Sequence, residues 1–157
     1  MLKNPLIKNI LSALAVAVFG FILLNITFLF DALIHDLVIG FITFFISFDM
    51  LMTYIWFPPM MHGLFVVAIG LISWFVFKSK LGVFYKAIYM TVPVAVVLVT
   101  IGMFLYSWPV AAYLIGALFS IGVLYYFYRT KQPWLYYYTV ILISLVLAIF
   151  SLSGGEI

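Results

Sequence analysis

The sequence contains no cysteine and very few charged residues. Its 157 residues include seven Lys or Arg, four Asp or Glu and two His. The absence of thiols excludes disulfides, zinc–thiolate sites, iron–sulfur clusters and cysteine nucleophiles. The formal net charge of +3 does not predict nucleic-acid binding, because the basic residues flank apolar runs instead of forming one basic surface segment.

The scarcity of charge places the chain in a membrane. A soluble domain has about a quarter charged residues, whereas this chain has 7% charged and 69% hydrophobic residues. A soluble domain of this length leaves about 30% of its extended surface exposed and needs polar side chains to cover it. Because the chain has so few charged side chains to cover this surface, we expect the lipid bilayer to cover it and to be a partner of the chain.

Apolar runs of the length that crosses a bilayer follow one another along the whole chain. A spanning helix needs about 20 mostly apolar residues. Cutting the sequence at charges, Pro and Gly predicts an all-α, polytopic transmembrane bundle in a single domain, 1–157, with short loops and no soluble domain. An alternative is five spans plus a re-entrant segment within 31–60. The six predicted spans are 9–30, 37–57, 61–77, 87–106, 110–128 and 135–152.

The basic residues constrain the topology. The basic segments 78–86 and 129–131 are separated by two predicted spans, so both face one side, which the positive-inside bias makes cytoplasmic. Six spans would put Lys3 and Lys8 on the other side, whereas five would put them on the same side. Six spans would still be compatible with a weak bias that tolerates an external N-terminus, or with dual insertion as an antiparallel dimer.

Three of the four carboxylates fall within one apolar stretch. Asp31 and His35 are four residues apart and share a helix face, and Asp36 lies about 100° further round. Asp49 would return to the azimuth of Asp31 about 27 Å further along an unbroken helix.

The depth of Asp49 decides its role. With a span at 37–57 it is immersed in hydrocarbon, where an acid costs about 2.5–3.5 kcal/mol and is a functional candidate by default. With a span at 32–51 it lies near an interface.

The polar corner of Asp31, His35 and Asp36 allows several interpretations. Asp31 could cap the following helix while its neighbours are solvated, or the corner could bind a partner protein. It could also hold a proton or a metal together with His62, since imidazoles and carboxylates suit Zn, Mn or Fe. The weak metal candidates are Asp31, His35 and His62, and the cofactor is left open. The His spacing does not indicate haem.

Small residues form two candidate packing faces. Ala13, Ala17 and Gly20 lie at helical spacing, and Gly116 with Ser120 repeats it. Such faces let membrane helices approach closely, within the chain or to a partner. We expect the remaining intramembrane polar side chains to bond their own i−4 carbonyls or to bridge helices; they are Asn25, Thr27, Thr43, Ser47, Thr91 and Thr100.

Three functions remain open. The first is a small transporter or channel-like protein with a proton or cation path through Asp31, His35, Asp36, Asp49 and His62. The second is a non-catalytic accessory, regulatory or immunity subunit that packs against a larger membrane complex or a second copy. The third is a membrane enzyme acting on a lipid, which the sequence disfavours because no catalytic triad or phosphate-binding loop is present. The expected location is a bacterial inner membrane.

Overall fold

A computed structural model of the chain describes residues 5–45 and 57–153, the side chain of Pro58 excepted. Within those residues the chain forms five α-helices and no strand. We number them in chain order as α1 (Pro5–Thr43), α2 (Phe57–Lys78), α3 (Val83–Phe104), α4 (Pro109–Arg129) and α5 (Trp134–Leu152).

All five helices are long and apolar enough to cross a membrane. Their outward side chains are large and apolar: Phe75 is 72% exposed, Leu118 67% and Leu152 75%. A surface of this kind has no stable contact with water and is covered by lipid. The protein is therefore a multi-pass integral membrane protein.

Helix α3 is the centre of the bundle and packs against each of the other four helices. Pro93 lies inside it without ending it, as the sequence predicts for a proline within a span. The buried side chains of α3 are Ala87, Met90, Thr91, Val92, Val94, Ala95 and Val96.

The six predicted spans are not confirmed: the described residues contain five helices long enough to cross a membrane, and the predicted boundary between the first two spans lies inside α1. Helix α1 runs for 39 residues through the predicted break at 31–36, which is about 58 Å at 1.5 Å per residue. Asp and His have the backbone N–H that an interior helix position needs, so a charged side chain alone does not end a helix. Pro lacks this N–H and therefore can end one. The alternative re-entrant segment, within 31–60, includes residues 46–56, which lie outside the described part of the chain.

The contacts between helices set their directions. The end of α1 around Ile42 packs on Phe57 at the start of α2, so these two helices are antiparallel. Gly20 of α1 lies against Thr91 of α3. With α2, α3, α4 and α5 alternating, α1 runs parallel to α3, and the start of α1 shares one membrane face with the turns 79–82 and 130–133.

We call that side the basic face. The other side, reached by the turn 105–108 and by the ends of α1, α3 and α5, is the opposite face. The five-helix arrangement thus places the N-terminal lysine and both basic turns together, which satisfies the positive-inside bias and predicts a cytoplasmic basic face. The described bases there are Lys8, Lys78, Lys80, Lys86, Arg129 and Lys131.

Candidate functional site

The polar corner of α1 lies toward the opposite face. Asp31 follows Gly20 by 11 residues, about 16 Å along the axis, whereas α3 ends about 20 Å beyond Thr91, the neighbour of Gly20. Asp31, His35 and Asp36 therefore lie in the half of α1 toward the opposite face. Since all three belong to the interior of α1, the interpretation of Asp31 as a helix cap is wrong.

The remaining predicted site residues are only partly tested by the structure. Asp49 lies outside the described residues, so its immersion stays a prediction. Among the described residues, no three His, Asp or Glu side chains come close enough together to hold a metal. The metal candidates Asp31, His35 and His62 therefore receive no support from the geometry and also stay a prediction.

His62 lies within the membrane part of α2, not in a loop. Its Nε2 is 2.9 Å from Thr100 Oγ1 on α3, and the rings of Phe65 and Phe104 flank the imidazole at 6.3 and 6.5 Å between centroids. Thr100 donates its only hydroxyl hydrogen to Val96 O at 2.6 Å. Its oxygen must therefore accept from Nε2–H of His62.

A second polar pair joins α2 and α3 nearer the basic face. Ser73 donates to Ile69 O at 2.7 Å, so the 3.1 Å contact with Tyr89 is a hydrogen bond donated by the tyrosine hydroxyl. This pair is 11 residues of α3 away from the His62–Thr100 pair, about 16 Å.

An apolar cluster fills the interval between the two pairs. Phe65, Ile69, Val92 and Val96 are all buried there, with Leu24 packed against them. A proton path needs a chain of polar groups or waters at hydrogen-bond spacing. The seam between α2 and α3 is therefore sealed at mid-membrane.

The hydroxyls within the helices are satisfied inside the chain, as predicted for those that the structure describes. Within the described residues, no buried side-chain nitrogen or oxygen lacks a hydrogen-bond partner. Thr139 illustrates this, since its hydroxyl lies 2.9 Å from Leu135 O and 3.2 Å from Ala87 O on α3. The side chains that bond the carbonyl four residues earlier include Asn25, Thr27, Thr43, Thr100 and Ser120.

The two small-residue faces have different surroundings. Gly20 is buried against Thr91, and a Cβ built on it would lie 2.5 Å from Thr91 Cγ2. A Cβ on Gly116 would lie 3.5 Å from Leu98 Cδ2, which is ordinary contact. The face around Gly20 therefore serves packing within the chain, whereas Gly116 borders open space.

That open space is a cleft between α3, α4 and α5, in the half of the bundle toward the opposite face. We call it the outer cleft; its volume is about 720 Å³. Six of its wall residues are exposed, among them Ala117, Ile121 and Leu145, so it opens on the lipid-facing surface. The small residues of the wall are Gly102, Ala112, Gly116, Ala117 and Ala148.

Two hydroxyl pairs cross the outer cleft from α4 to α5. Ser120 donates to Gly116 O at 2.9 Å, so Ser144 donates to Ser120 across 2.8 Å. Tyr113 and Ser151 lie 2.8 Å apart nearer the opposite face. The cleft thus has fixed hydroxyls within apolar walls and no charged residue among those lining it.

These pairs were not predicted from the sequence, although a signal for them exists. In an antiparallel helix pair, residues equally far from the turn lie at the same depth. Ser120 and Ser144 are each 12 residues from Gln132, and His62 and Thr100 are each 19 residues from Leu81. Polar residues placed symmetrically about a predicted turn would have identified both pairs.

Comparison of the chain with protein-family models, with curated proteins and with solved structures finds no match. Its function therefore has to follow from the geometry alone.

Proposed function

We propose that this membrane protein is a non-catalytic accessory subunit, which binds a transmembrane helix of a larger membrane protein in its outer cleft. The observation that carries the proposal is the cleft itself. It is neutral, opens to the lipid side and is lined by Gly and Ala next to fixed hydroxyls.

The chemistry of the cleft suits a helix. Membrane helices associate where small residues let backbones approach, and where hydroxyls add short interhelical hydrogen bonds. The wall of α4 from Ala112 to Ile121 covers nine residue steps, about 14 Å or two and a half turns. A partner helix in this position would contact both hydroxyl pairs.

The transport hypothesis has weaker support. The described polar groups of α2 and α3 form two pairs separated by the buried cluster around Phe65 and Val92. Asp49 lies outside the described residues. If its carboxylate is immersed in the membrane, it would supply a proton or cation path that does not use the seam between α2 and α3, so the transport hypothesis stays testable.

Cysteine cross-linking tests the accessory proposal, because the chain has no cysteine of its own. Ala117→Cys places one thiol in the cleft, and Leu118→Cys places one on the lipid-facing side of the same helix. We expect a thiol cross-linker in native membranes to give a heterologous adduct of one defined mass with Ala117→Cys and none with Leu118→Cys.

A second variant ties the adduct to the cleft. Gly116→Leu would fill the space beside Leu98, so we expect it to abolish both the adduct and stoichiometric co-purification of the same protein. Equal adducts from the two cysteines, adducts with a second copy only, or lipid as the sole co-purified species would each overturn the proposal.

A further inference from the structure

A second opening in the bundle lies toward the basic face. It is a groove of about 540 Å³ bordered mainly by α3 and α4, which we call the inner groove. On α3 it follows one helical stripe, Lys86, Met90, Pro93 and Val97. The stripe covers 11 residue steps, about 16 Å, close to the thickness of one hydrocarbon leaflet, about 15 Å.

The inner groove is polar at its mouth and apolar in its depth. Lys86 and Gln132 lie at the end toward the basic face. The rings of Phe77, Tyr126, Phe127 and Tyr136 border this end as well, and the deeper wall, with Met90, Pro93, Val94, Val97, Phe119 and Val123, has apolar side chains only. From mouth to depth along the membrane normal, polar and aromatic groups are followed by apolar groups. This order matches an amphiphile whose headgroup lies at the interface and whose acyl chain lies in the leaflet.

The ammonium of Lys86 is held at the mouth. Its Nζ donates to Phe77 O, the carbonyl at the end of α2, at 2.7 Å. An ammonium has three donors, so two remain for a ligand. Because this bond already restricts the rotamers of Lys86, less side-chain entropy is lost when a ligand binds.

The charge of the surroundings selects the sign of the ligand. All six described Lys and Arg side chains lie at the basic face, whereas the described carboxylates, Asp31 and Asp36, lie in the second half of α1, away from that face. Juxtamembrane basic residues attract anionic lipid at about 1 kcal/mol each. A zwitterionic lipid would gain little of this attraction.

We propose that the inner groove binds one anionic phospholipid of the leaflet at the basic face. Lys86 and the amide of Gln132 hold the phosphate, and one acyl chain lies along Met90, Pro93 and Val97.

Native mass spectrometry of the intact chain, with phosphatidylglycerol or phosphatidylcholine added to delipidated protein, tests this proposal. We expect tighter binding of phosphatidylglycerol. Lys86→Gln should weaken that binding about tenfold or more, the size expected on loss of a charge-assisted hydrogen bond. Lys80→Gln is the matched control, because Lys80 is an exposed base at the same face and is not part of the groove wall.

A second pair of variants tests the acyl chain while Lys86 stays in place. Val123→Phe fills the groove, whereas Leu118→Phe adds the same ring on the lipid-facing side of α4. We expect only Val123→Phe to reduce lipid binding.

Three results would overturn the proposal. Equal losses of phosphatidylglycerol binding in Lys80→Gln and Lys86→Gln would show that the lipid is attracted only by the overall positive charge of the basic face. Equal affinity for the two lipids would remove the role of charge, and full competition by inorganic phosphate would indicate a phosphate site without an acyl chain.

Discussion

The contact of Gly20 with Thr91 gives the sharpest test of how α1 packs on α3. Gly20→Ala would add a Cβ 2.5 Å from Thr91 Cγ2, about 1 Å inside the 3.5–4.0 Å optimum for two carbons. Thr91 cannot easily move, because it is fully buried and its hydroxyl is bonded to Ile88 O at 2.7 Å.

The expected cost follows from two opposing effects. Overpacking a filled interior costs about 1–3 kcal/mol, while alanine is favoured over glycine inside a helix by about 1 kcal/mol. Gly116→Ala is the matched control, since it has the second effect and only ordinary contact with Leu98. We therefore expect the free energy of unfolding of Gly20→Ala to lie about 1–3 kcal/mol below that of Gly116→Ala.

Reversible unfolding in mixed micelles, followed by tryptophan fluorescence, measures this difference. Thr91→Ser deletes Cγ2 and keeps the hydroxyl, so the double variant Gly20→Ala with Thr91→Ser should recover most of the loss. Equal stability of the two alanine variants, or no coupling between positions 20 and 91, would refute the close packing of α1 on α3.

Three further predictions concern the polar pairs. Ser144→Ala removes the donor to Ser120 and should lower the free energy of unfolding by about 0.6 kcal/mol; no change beyond error would show that the pair does not form. Thr139→Val keeps the side-chain shape but removes a hydroxyl hydrogen that Leu135 O and, across the helices, Ala87 O share, so it should cost more than Thr130→Val in the exposed turn, by up to about 1.7 kcal/mol; equal effects would show that Ala87 O does not accept it. His62→Phe should leave proton flux in proteoliposomes unchanged, because the seam is sealed beside Phe65; flux in the native chain that disappears in this variant would revive the transport hypothesis.

Helix ends marked by Pro were predictable from the sequence, and so were those marked by the charges of Lys78 and Arg129, whereas the boundary placed at 31–36 was wrong. Pro58 and Pro59 fall in the first turn of α2, where no amide partner is needed, and Pro109 and Pro133 flank helix starts. The charged stretch around Asp31 contains no proline, so every residue in it has the backbone N–H that a helix needs. Helix α1 therefore continues through it, and the predicted boundary at 31–36 does not form.

The site was less predictable than the fold, because it depends on which helix faces meet. Gly116 and Ser120 are recognisable as a small-residue face, but the sequence could not show that α3 and α5 leave a cleft beside them. Similarly, a histidine that follows two prolines is typical of a loop. Here the prolines lie in the first turn of α2, so His62 belongs to the helix and its side chain contacts Thr100.

The topology of the described chain has five helices crossing the membrane, with the start of α1 and both basic turns on one side. Single cysteines at exposed, uncharged positions test it without changing the charge balance: Asn9→Cys, Gly82→Cys and Ser107→Cys. We expect a membrane-impermeant thiol reagent to label positions 9 and 82 from the same side and position 107 from the other side. Labelling of positions 9 and 82 from opposite sides would contradict it.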